Sequence, residues 1–434
     1  MTSGTDRPAR LATAEIVSVG TEMTLGRNVD TNSAFLSREL ALLGITTLAH
    51  ATYPDDPDVF GAGLLAACRR ADLVIVTGGL GPTRDDLTRE VVARIAGGKP
   101  LVRDAAWLAL LRERYARLGR AFPESNDRQA DRPEGSEIVH NRLGSAPGFA
   151  LEVGRALLVS LPGVPREMTS MWQEEVVPLL LRRGAGSSTG CLATRSLHLF
   201  GATESAIGEM IHDLMDIAKN PYATITVSAA VITIHLVARA ENEAAARALL
   251  DPLDAEVAAR AGPLLFGRDG ETLPAGLFRL LGARGFRVAL AESCTGGLAT
   301  HLLSTVPGVS SALVAGAVTY ANAAKSLFAG VPAGLIEWKG AVSPEVARAM
   351  AEGIRRKTGA DVGLASTGIA GPDGGTPEKP VGLVYLACAS PLGATVVERH
   401  HVAGDRLFFQ ERAAKALLDL GRRVLSGLPT RTPG

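Results

Sequence analysis

The strongest constraint on the fold is a repeated junction in which a short apolar run ends in a glycine turn. Ala14–Gly20 reads AEIVSVG, and Asp72–Thr77 (DLVIVT) runs directly into Gly78-Gly79-Leu80-Gly81. Arg287–Ala291 does the same, leading into Glu292-Ser293-Cys294-Thr295-Gly296-Gly297. Apolar runs bounded by turn residues predict strands buried on both faces. Stretches of helical spacing separate them. Asn32–Leu43 carries Phe35, Leu36, Leu40 and Leu43 on one side and ends at Gly44, a natural C-cap, and Val59–Arg70 is a second such stretch. Thr46–Ala51 and Leu157–Leu161 read as further strands. Strands alternating with helices predict an α/β fold with a parallel sheet covered on both faces.

Two linkers divide the rest. Arg182–Gly190 (RRGAGSSTG) precedes a small α+β module with strands at Cys191–Phe200, Ile225–Val227 and Val231–Ala238, and helices at Glu204–Met215 and Glu243–Ala261. Gly262–Pro274 reads as the second linker. Beyond it come a helix at Leu277–Arg284, a helix opening at Gly296–Ser304, and strands at Val314–Tyr320, Val362–Thr367, Val381–Ala389 and Thr395–His401. A long amphipathic helix at Arg406–Leu425 follows, and the last residues read as frayed. A length of 434 residues exceeds one ordinary core, so two or three domains are expected.

Composition narrows the function classes. Hydrophobic residues at 46% with 21% charged residues are globular, and Lys plus Arg balance Asp plus Glu at 45 each. No basic excess points to nucleic acid or an anionic membrane, and 4% aromatics leave few platforms for base stacking. The four cysteines are scattered without a C-x-x-C pair, which disfavours a zinc site or disulfide framework and fits a cytoplasmic protein. Met1–Thr13 lacks the apolar stretch of a signal peptide, and no apolar run approaches the roughly 18–20 residues of a membrane helix.

The first candidate site combines three segments: Gly20-Thr21-Glu22-Met23 with Asn28 and Asn32; Thr77–Thr88 (TGGLGPTRDDLT); and Leu161-Pro162-Gly163-Val164-Pro165. Glycines at Gly78, Gly79 and Gly81 let backbone approach a ligand closely, and Thr83 or Asp85 can cap a helix starting near Asp86. The N–H groups of such a helix start suit a phosphate. Asp85 and Asp86 would repel a bare phosphate, but with Glu22 they suit a hard divalent cation such as Mg²⁺ shared with phosphate oxygens. A tight turn with one capping Asp is the simpler reading, and it leaves most of the cluster unexplained.

The second candidate site lies at Ala291–Gly297 (AESCTGG). Ser, Thr and paired glycines at a helix start form a cradle for a phosphate or oxyanion. Ser293 and Cys294 are adjacent nucleophile candidates. None of the eight histidines sits in a triad context, and His400 and His401 would point to opposite sheet faces. Lys325, one turn past the strand that ends at Tyr320, is the best candidate base, although a lysine at this spacing taken alone is more often solvated. A Gly-rich loop at Ser366–Gly375, the stretch Lys379–Gly382 and Gly404-Asp405-Arg406 at the start of the last helix complete the pattern.

These segments, with Asn126, Gln129 and Asn141–Phe149 (NRLGSAPGF), closely resemble the CinA (competence/damage-inducible protein A) family. The resemblance implies three parts: a molybdopterin-binding-like (MoaB/MogA-like) α/β domain over residues 1–182, a KH-like α+β module over 190–264, and an α/β nicotinamide-nucleotide amidohydrolase domain (PncC type) over 272–428. For the first domain it implies metal-dependent hydrolysis of ADP-ribose to AMP and ribose 5-phosphate. Thr77, Gly78, Gly79, Gly81, Thr83, Asn28 and Asn32 would bind substrate, Glu22, Asp85 and Asp86 would serve the metal, and K⁺ would assist. For the last domain it implies hydrolysis of nicotinamide mononucleotide to nicotinate mononucleotide and ammonia without a metal. Ser293 would be the nucleophile and Lys325 the base, with Tyr320, Glu292 and Thr295 in the catalytic set. Gly296, Gly297, Thr367 and Arg406 would hold substrate, and Ser310 and Ser311 its phosphate.

In the KH-like module a G-x-x-G spacing occurs only at Gly267–Gly270, after the last helix, so direct RNA binding is not expected and the module reads as a spacer or dimerisation element. A homodimer is expected because the small module offers little core of its own, and the family implies the same. The expected partners are small-molecule nucleotides, with no direct nucleic-acid contact and no membrane. Rival readings are a regulatory protein of competence or DNA damage, and a first domain that binds molybdopterin without pyrophosphatase activity.

Overall fold

The computed structural model describes residues 11–117, 119–185, 191–228 and 230–429. Most of the expected N-terminal segment Met1–Thr13, residues 186–190 of the expected first linker, and the expected frayed end past residue 429 lie outside the described residues. The chain forms two compact units: the residues up to Ala193 with Arg239–Ala248, and Thr194–Ala238 with Leu249 onward. Among the described residues no helix is long and apolar enough to cross a membrane.

The first unit is built on a six-stranded sheet in the spatial order Thr46–Tyr53, Thr13–Val19, Leu73–Thr77, Ala156–Leu161, Gly148–Val153, Glu137–Val139. The first four strands are parallel, and Gly148–Val153 pairs antiparallel with both Ala156–Leu161 and Glu137–Val139, so the sheet is mixed where a parallel one was expected. The central strands are buried on both faces because their residues alternate between two cores. Ile16, Leu73 and Ile75 pack with Leu36, Leu40 and Trp172 on one side. Val17, Val19, Val74 and Val76 pack with Phe60, Leu64 and Val91 on the other. The chain leaves Thr13–Val19 toward one side of the sheet and later fills the other, so the carboxyl ends of Thr13–Val19 and Leu73–Thr77 flank a topological switch point, where open α/β sheets bind ligands.

The second unit repeats this logic. Its five-stranded sheet runs Leu313–Val318, Val288–Glu292, Val362–Gly368, Leu383–Ala389, Val396–His401, with the first three parallel. Val288, Leu290 and Leu364 pack against helices Leu273–Arg284 and Arg406–Ser426. Ala289, Ala291 and Ala365 face helix Pro344–Thr358, which the sequence reading did not locate. The switch point falls between Val288–Glu292 and Val362–Gly368, and Ser293 stands at the carboxyl end of the first.

The stretch expected as a linker is not one. Leu265–Arg268 is a strand that pairs antiparallel with Cys191–Phe200 and completes a four-stranded sheet with Tyr222–Ser228 and Val231–Ala240. Arg422 of the last helix donates to the carbonyls of Pro263 and Leu265. Phe200 and Phe266 belong to the same core as the last helix. The module therefore draws core from its own chain, which removes the shortage of core as a reason to expect a dimer.

Candidate functional site

In the first unit, Thr77, Gly78, Gly79 and Gly81 line a cleft of about 600 Å³ with Glu22, Asn28, Asn32, Asp85, Asp86 and the Pro162–Pro165 turn, so the three expected segments meet. The glycine loop must lie close to its surroundings. Gly78 and Gly79 have φ of 102° and 64°, and a Cβ on Gly79 would come within 2.3 Å of Thr88 Oγ1. Helix Thr88–Ile95 starts later than expected, and neither Thr83 nor Asp85 caps it. Instead the Asp86 carboxylate accepts from the N–H groups of Gly81 at 2.7 Å and Thr83 at 2.8 Å, and from the Thr83 hydroxyl. Thr83, expected to bind substrate, thus serves Asp86.

Two arginines that the sequence reading missed hold the loop from behind. Buried Arg89 donates to the carbonyls of Leu80 and Gly81, and burial pushes its guanidinium down to about 10. Arg128 donates to the carbonyls of Thr83 and Asp86 and to Glu90 at 2.6 Å. Thr88 adds a hydrogen bond from its hydroxyl to the Gly78 carbonyl at 2.8 Å. Of the loop's N–H groups, those of Gly81 and Thr83 are taken by Asp86 and that of Gly78 by the Leu161 carbonyl. No spacing rule links an arginine ten residues downstream to a glycine turn, so only the fold exposes this role. Asp30, between Asn28 and Asn32 of the first segment, is the N-cap of helix Thr31–Leu42. Burial pushes its carboxyl up, but hydrogen bonds from Ser18 and Ser33 outweigh that and hold it below its ordinary value.

Six acidic side chains and no basic one line the cleft: Glu22, Asp30, Asp55, Asp85, Asp86 and Glu167. Most are occupied, Asp30 by Ser18 and Ser33, Asp55 by Thr21, Asp86 by the loop and Glu167 by Asn141. Among the described residues no three acidic, His or Cys groups converge on one ion. This donor set fits a divalent cation carried on substrate phosphates and touched by one or two carboxylates; Glu22 and Asp85 are both exposed, and Asp85 shares a hydrogen bond with Thr83.

In the second unit, Lys325 sits in the first turn of helix Asn322–Ala329 and is 2% exposed, not solvated. Its Nζ contacts Ser293 Oγ at 3.1 Å and the carbonyls of Thr319 and Tyr320 at 2.9 and 3.1 Å. Burial lowers its pKa. A neutral amine has two N–H bonds and one lone pair. The two carbonyls can only accept, so they take the N–H bonds and the lone pair faces the Ser293 hydroxyl. The Ser293 N–H donates to the Ser366 carbonyl at 3.1 Å, which fixes the nucleophile to the neighbouring strand. Gly296 and Gly297, with φ of 64° and 97°, carry the turn that follows.

Cys294 points away, into the core, where burial pushes its thiol up to about 12. Glu292 and Thr295, expected among the catalytic residues, are buried and engaged elsewhere. The Glu292 carboxylate accepts from Thr295 Oγ1 at 2.7 Å, from the N–H groups of Ala299 and Thr300 at 2.9 and 2.8 Å, and from Thr300 Oγ1 at 2.6 Å. It braces the turn that carries Ser293. Arg406 bridges the mouth of the site, donating to the Tyr320 hydroxyl at 2.6 Å and the Gly371 carbonyl at 2.8 Å, with no carboxylate partner among the described residues. Thr367 is buried and its hydroxyl donates to the Ala341 carbonyl at 2.8 Å.

Ser310 and Ser311 do not reach this site. They precede strand Leu313–Val318, whose first residue pairs with Val288 and whose last pairs with Glu292. A parallel strand rises about 3.3 Å per residue, which puts them roughly 20 Å from Ser293, at the amino-terminal end of the strands.

Family models match the whole arrangement: a probable molybdopterin binding domain over residues 15–182, a damage-inducible protein CinA KH domain over 194–267, and a CinA C-terminal domain over 270–425. A putative competence-damage inducible protein of Symbiobacterium thermophilum is 44% identical over 423 residues, 95% of this chain and 99% of the relative. The chain belongs to the CinA family. A CinA-like protein of Geobacter metallireducens is 43% identical over 413 residues, with the same coverage of both chains. Among solved structures, CinA from Thermoplasma acidophilum is 33% identical and covers 38% of this chain and 97% of its own, at a TM-score of 0.36. As a CinA-family chain the molecule comprises a molybdopterin-binding-like domain, a KH-like module and a CinA C-terminal domain.

Proposed function

We propose that this CinA-family chain is a bifunctional hydrolase of pyridine-nucleotide metabolism, and that its CinA C-terminal domain hydrolyses the carboxamide of nicotinamide mononucleotide. The observation that carries this reading is the contact between Lys325 Nζ and Ser293 Oγ at 3.1 Å in a buried setting. Ser293 Oγ attacks the amide carbon while its proton passes to Lys325. Lys325 then protonates the departing nitrogen, which leaves as ammonia, and an ester to Ser293 forms. Water attacks the ester, again with Lys325 taking the proton, and nicotinate mononucleotide is released. Arg406, a cation held only by a hydroxyl and a carbonyl, is suited to the substrate phosphate. Incubation of the purified protein with nicotinamide mononucleotide and an assay for ammonia tests the reading; no ammonia above that of a Ser293→Ala control refutes it.

For the first domain the proposed reaction is hydrolysis of ADP-ribose to AMP and ribose 5-phosphate. Support comes from a cleft that joins a glycine turn, backed by Arg89 and Arg128, to six carboxylates. A diphosphate could not enter so acidic a cleft uncompensated. A divalent cation, when bound with the substrate, would neutralise charge developing on the phosphates. Glu22 and Asp85 are the residues to touch it, while Gly78, Gly79 and Gly81, without side chains, let the phosphate approach the backbone closely. Turnover of ADP-ribose with and without Mg²⁺, beside a pterin-binding assay, distinguishes this reading from pterin binding.

A further inference from the structure

A second cleft in the first unit, of about 460 Å³, is separate from the acidic one and has the opposite character. Trp107, Leu110 and Leu111 form an apolar wall, and Arg114, His140 and Glu175 supply the polar groups the inference uses. The volume lies within the usual range for small-molecule sites, and an apolar wall with a few fixed polar groups is their usual composition. Trp107 is locked in place. It is 4% exposed, its Nε1 donates to the Ser145 carbonyl at 3.2 Å, and its ring lies 5.9 Å from that of His140.

The charge pattern defines the ligand. Arg114 donates to the carbonyls of Gly144 and Arg142 and has no carboxylate partner among the described residues. Its side chain is thus held rigidly, with its charge uncompensated. The neighbouring Arg117 and Arg142 are paired with Glu113 and Glu174 at the surface, and His140 lies 3.5 Å from Glu175. One unpaired cation beside a flat apolar wall matches one negative charge on a planar body. A phosphate monoester would bring a second charge toward Glu175.

We propose that this cleft is a second ligand site of the first unit, selective for a small aromatic carboxylate. The ring lies along Trp107 and Leu110, and the carboxylate meets Arg114. The acidic cleft, with six carboxylates, would reject such an anion, so the two clefts select different ligands.

Benzoate and its neutral isostere benzamide test the site in the full chain labelled with 5-fluorotryptophan. The three tryptophans, Trp107, Trp172 and Trp338, report separately by ¹⁹F NMR, and Trp107→Phe assigns the relevant resonance. Benzoate is expected to shift the Trp107 signal saturably and to bind about tenfold or more tighter than benzamide, as a charge-assisted bond to Arg114 requires. Leu110→Glu removes an apolar contact common to both probes and adds a carboxylate on the half-exposed rim one helical turn before Arg114, and should weaken benzoate about tenfold more than it weakens benzamide. Equal affinities for the two probes, no saturable shift up to the solubility limit, an unchanged response in Leu110→Glu, or competitive displacement by AMP with Mg²⁺ would each overturn the proposal.

Discussion

Replacing Glu292 with Gln separates a bracing role from a catalytic one. The carboxylate accepts four hydrogen bonds, two on each oxygen, and is fully buried. Gln keeps one oxygen and turns the other into a donor. If the amide oxygen stays with Thr300, the Thr295 hydroxyl can rotate to accept, but the Ala299 N–H then faces another donor. One orphaned buried N–H costs about 1–3 kcal/mol, and each remaining bond loses charge assistance of about 1 kcal/mol. Relief of the carboxylate's own desolvation offsets part of this, leaving a loss of about 2–4 kcal/mol. For a unit of this size that lowers the melting temperature by roughly 10 °C. The turn that Glu292 braces carries Ser293, and a misplacement of about 1 Å costs on the order of a hundredfold in rate, so kcat/KM for ammonia release should fall roughly tenfold to a hundredfold. Circular dichroism melts and initial rates, both taken well below the variant's transition, check this. The pH dependence should not move, because Glu292 transfers no proton. A variant with wild-type melting and wild-type rates would refute the bracing role. One with wild-type melting and no activity would return Glu292 to the catalytic set.

Ser293→Ala and Lys325→Ala are each expected to lose about a thousandfold or more in deamidation, whereas Cys294→Ala keeps most activity because its buried thiol faces the core; a dead Cys294→Ala beside an active Ser293→Ala would make this a cysteine enzyme. Lys325 must be neutral to take the serine proton, so kcat/KM should fall as pH drops through its pKa. Burial depresses that pKa, so the acid limb should lie below the range of a solvated lysine; a limb in the ordinary lysine range would contradict the buried base. Asp85→Asn with Asp86→Asn should abolish ADP-ribose cleavage and spare the amidase, since one acidic residue is placed for the cation and the other braces the loop; full pyrophosphatase activity in excess EDTA would refute the metal requirement. A homodimer is expected on the family resemblance alone, and a monomer mass by light scattering at micromolar concentration would exclude it.

Much of the architecture was legible because its signals are local. The runs AEIVSVG, DLVIVT-GGLG and RVALAESCTGG announce strands buried on both faces that end in tight turns, and each proved to be a central strand ending at a switch point. Ser293, Lys325, the glycine loop and Asp85 could be named for the same reason, since residue type and a strand end suffice to nominate them. Their states could not be read that way, because hydrogen-bond partners and burial come from distant segments. Lys325 is buried beside Ser293 because the Thr319 and Tyr320 carbonyls and the turn after strand Val288–Glu292 meet its amine. The carboxylate of Glu292 is saturated because the helix after it folds back onto it. Ser310 and Ser311 lay near the motif in sequence but at the opposite end of the strands, since they precede a strand that runs parallel to the one ending at Ser293. Leu265–Arg268 looked like a linker because a short Gly- and Pro-flanked stretch has no strand signal of its own; pairing with Cys191–Phe200, some seventy residues earlier, makes it one. Sequence determined which residue types stand at the strand ends, and tertiary structure decided their burial and partners, because long-range folding alone brings distant groups within hydrogen-bond reach.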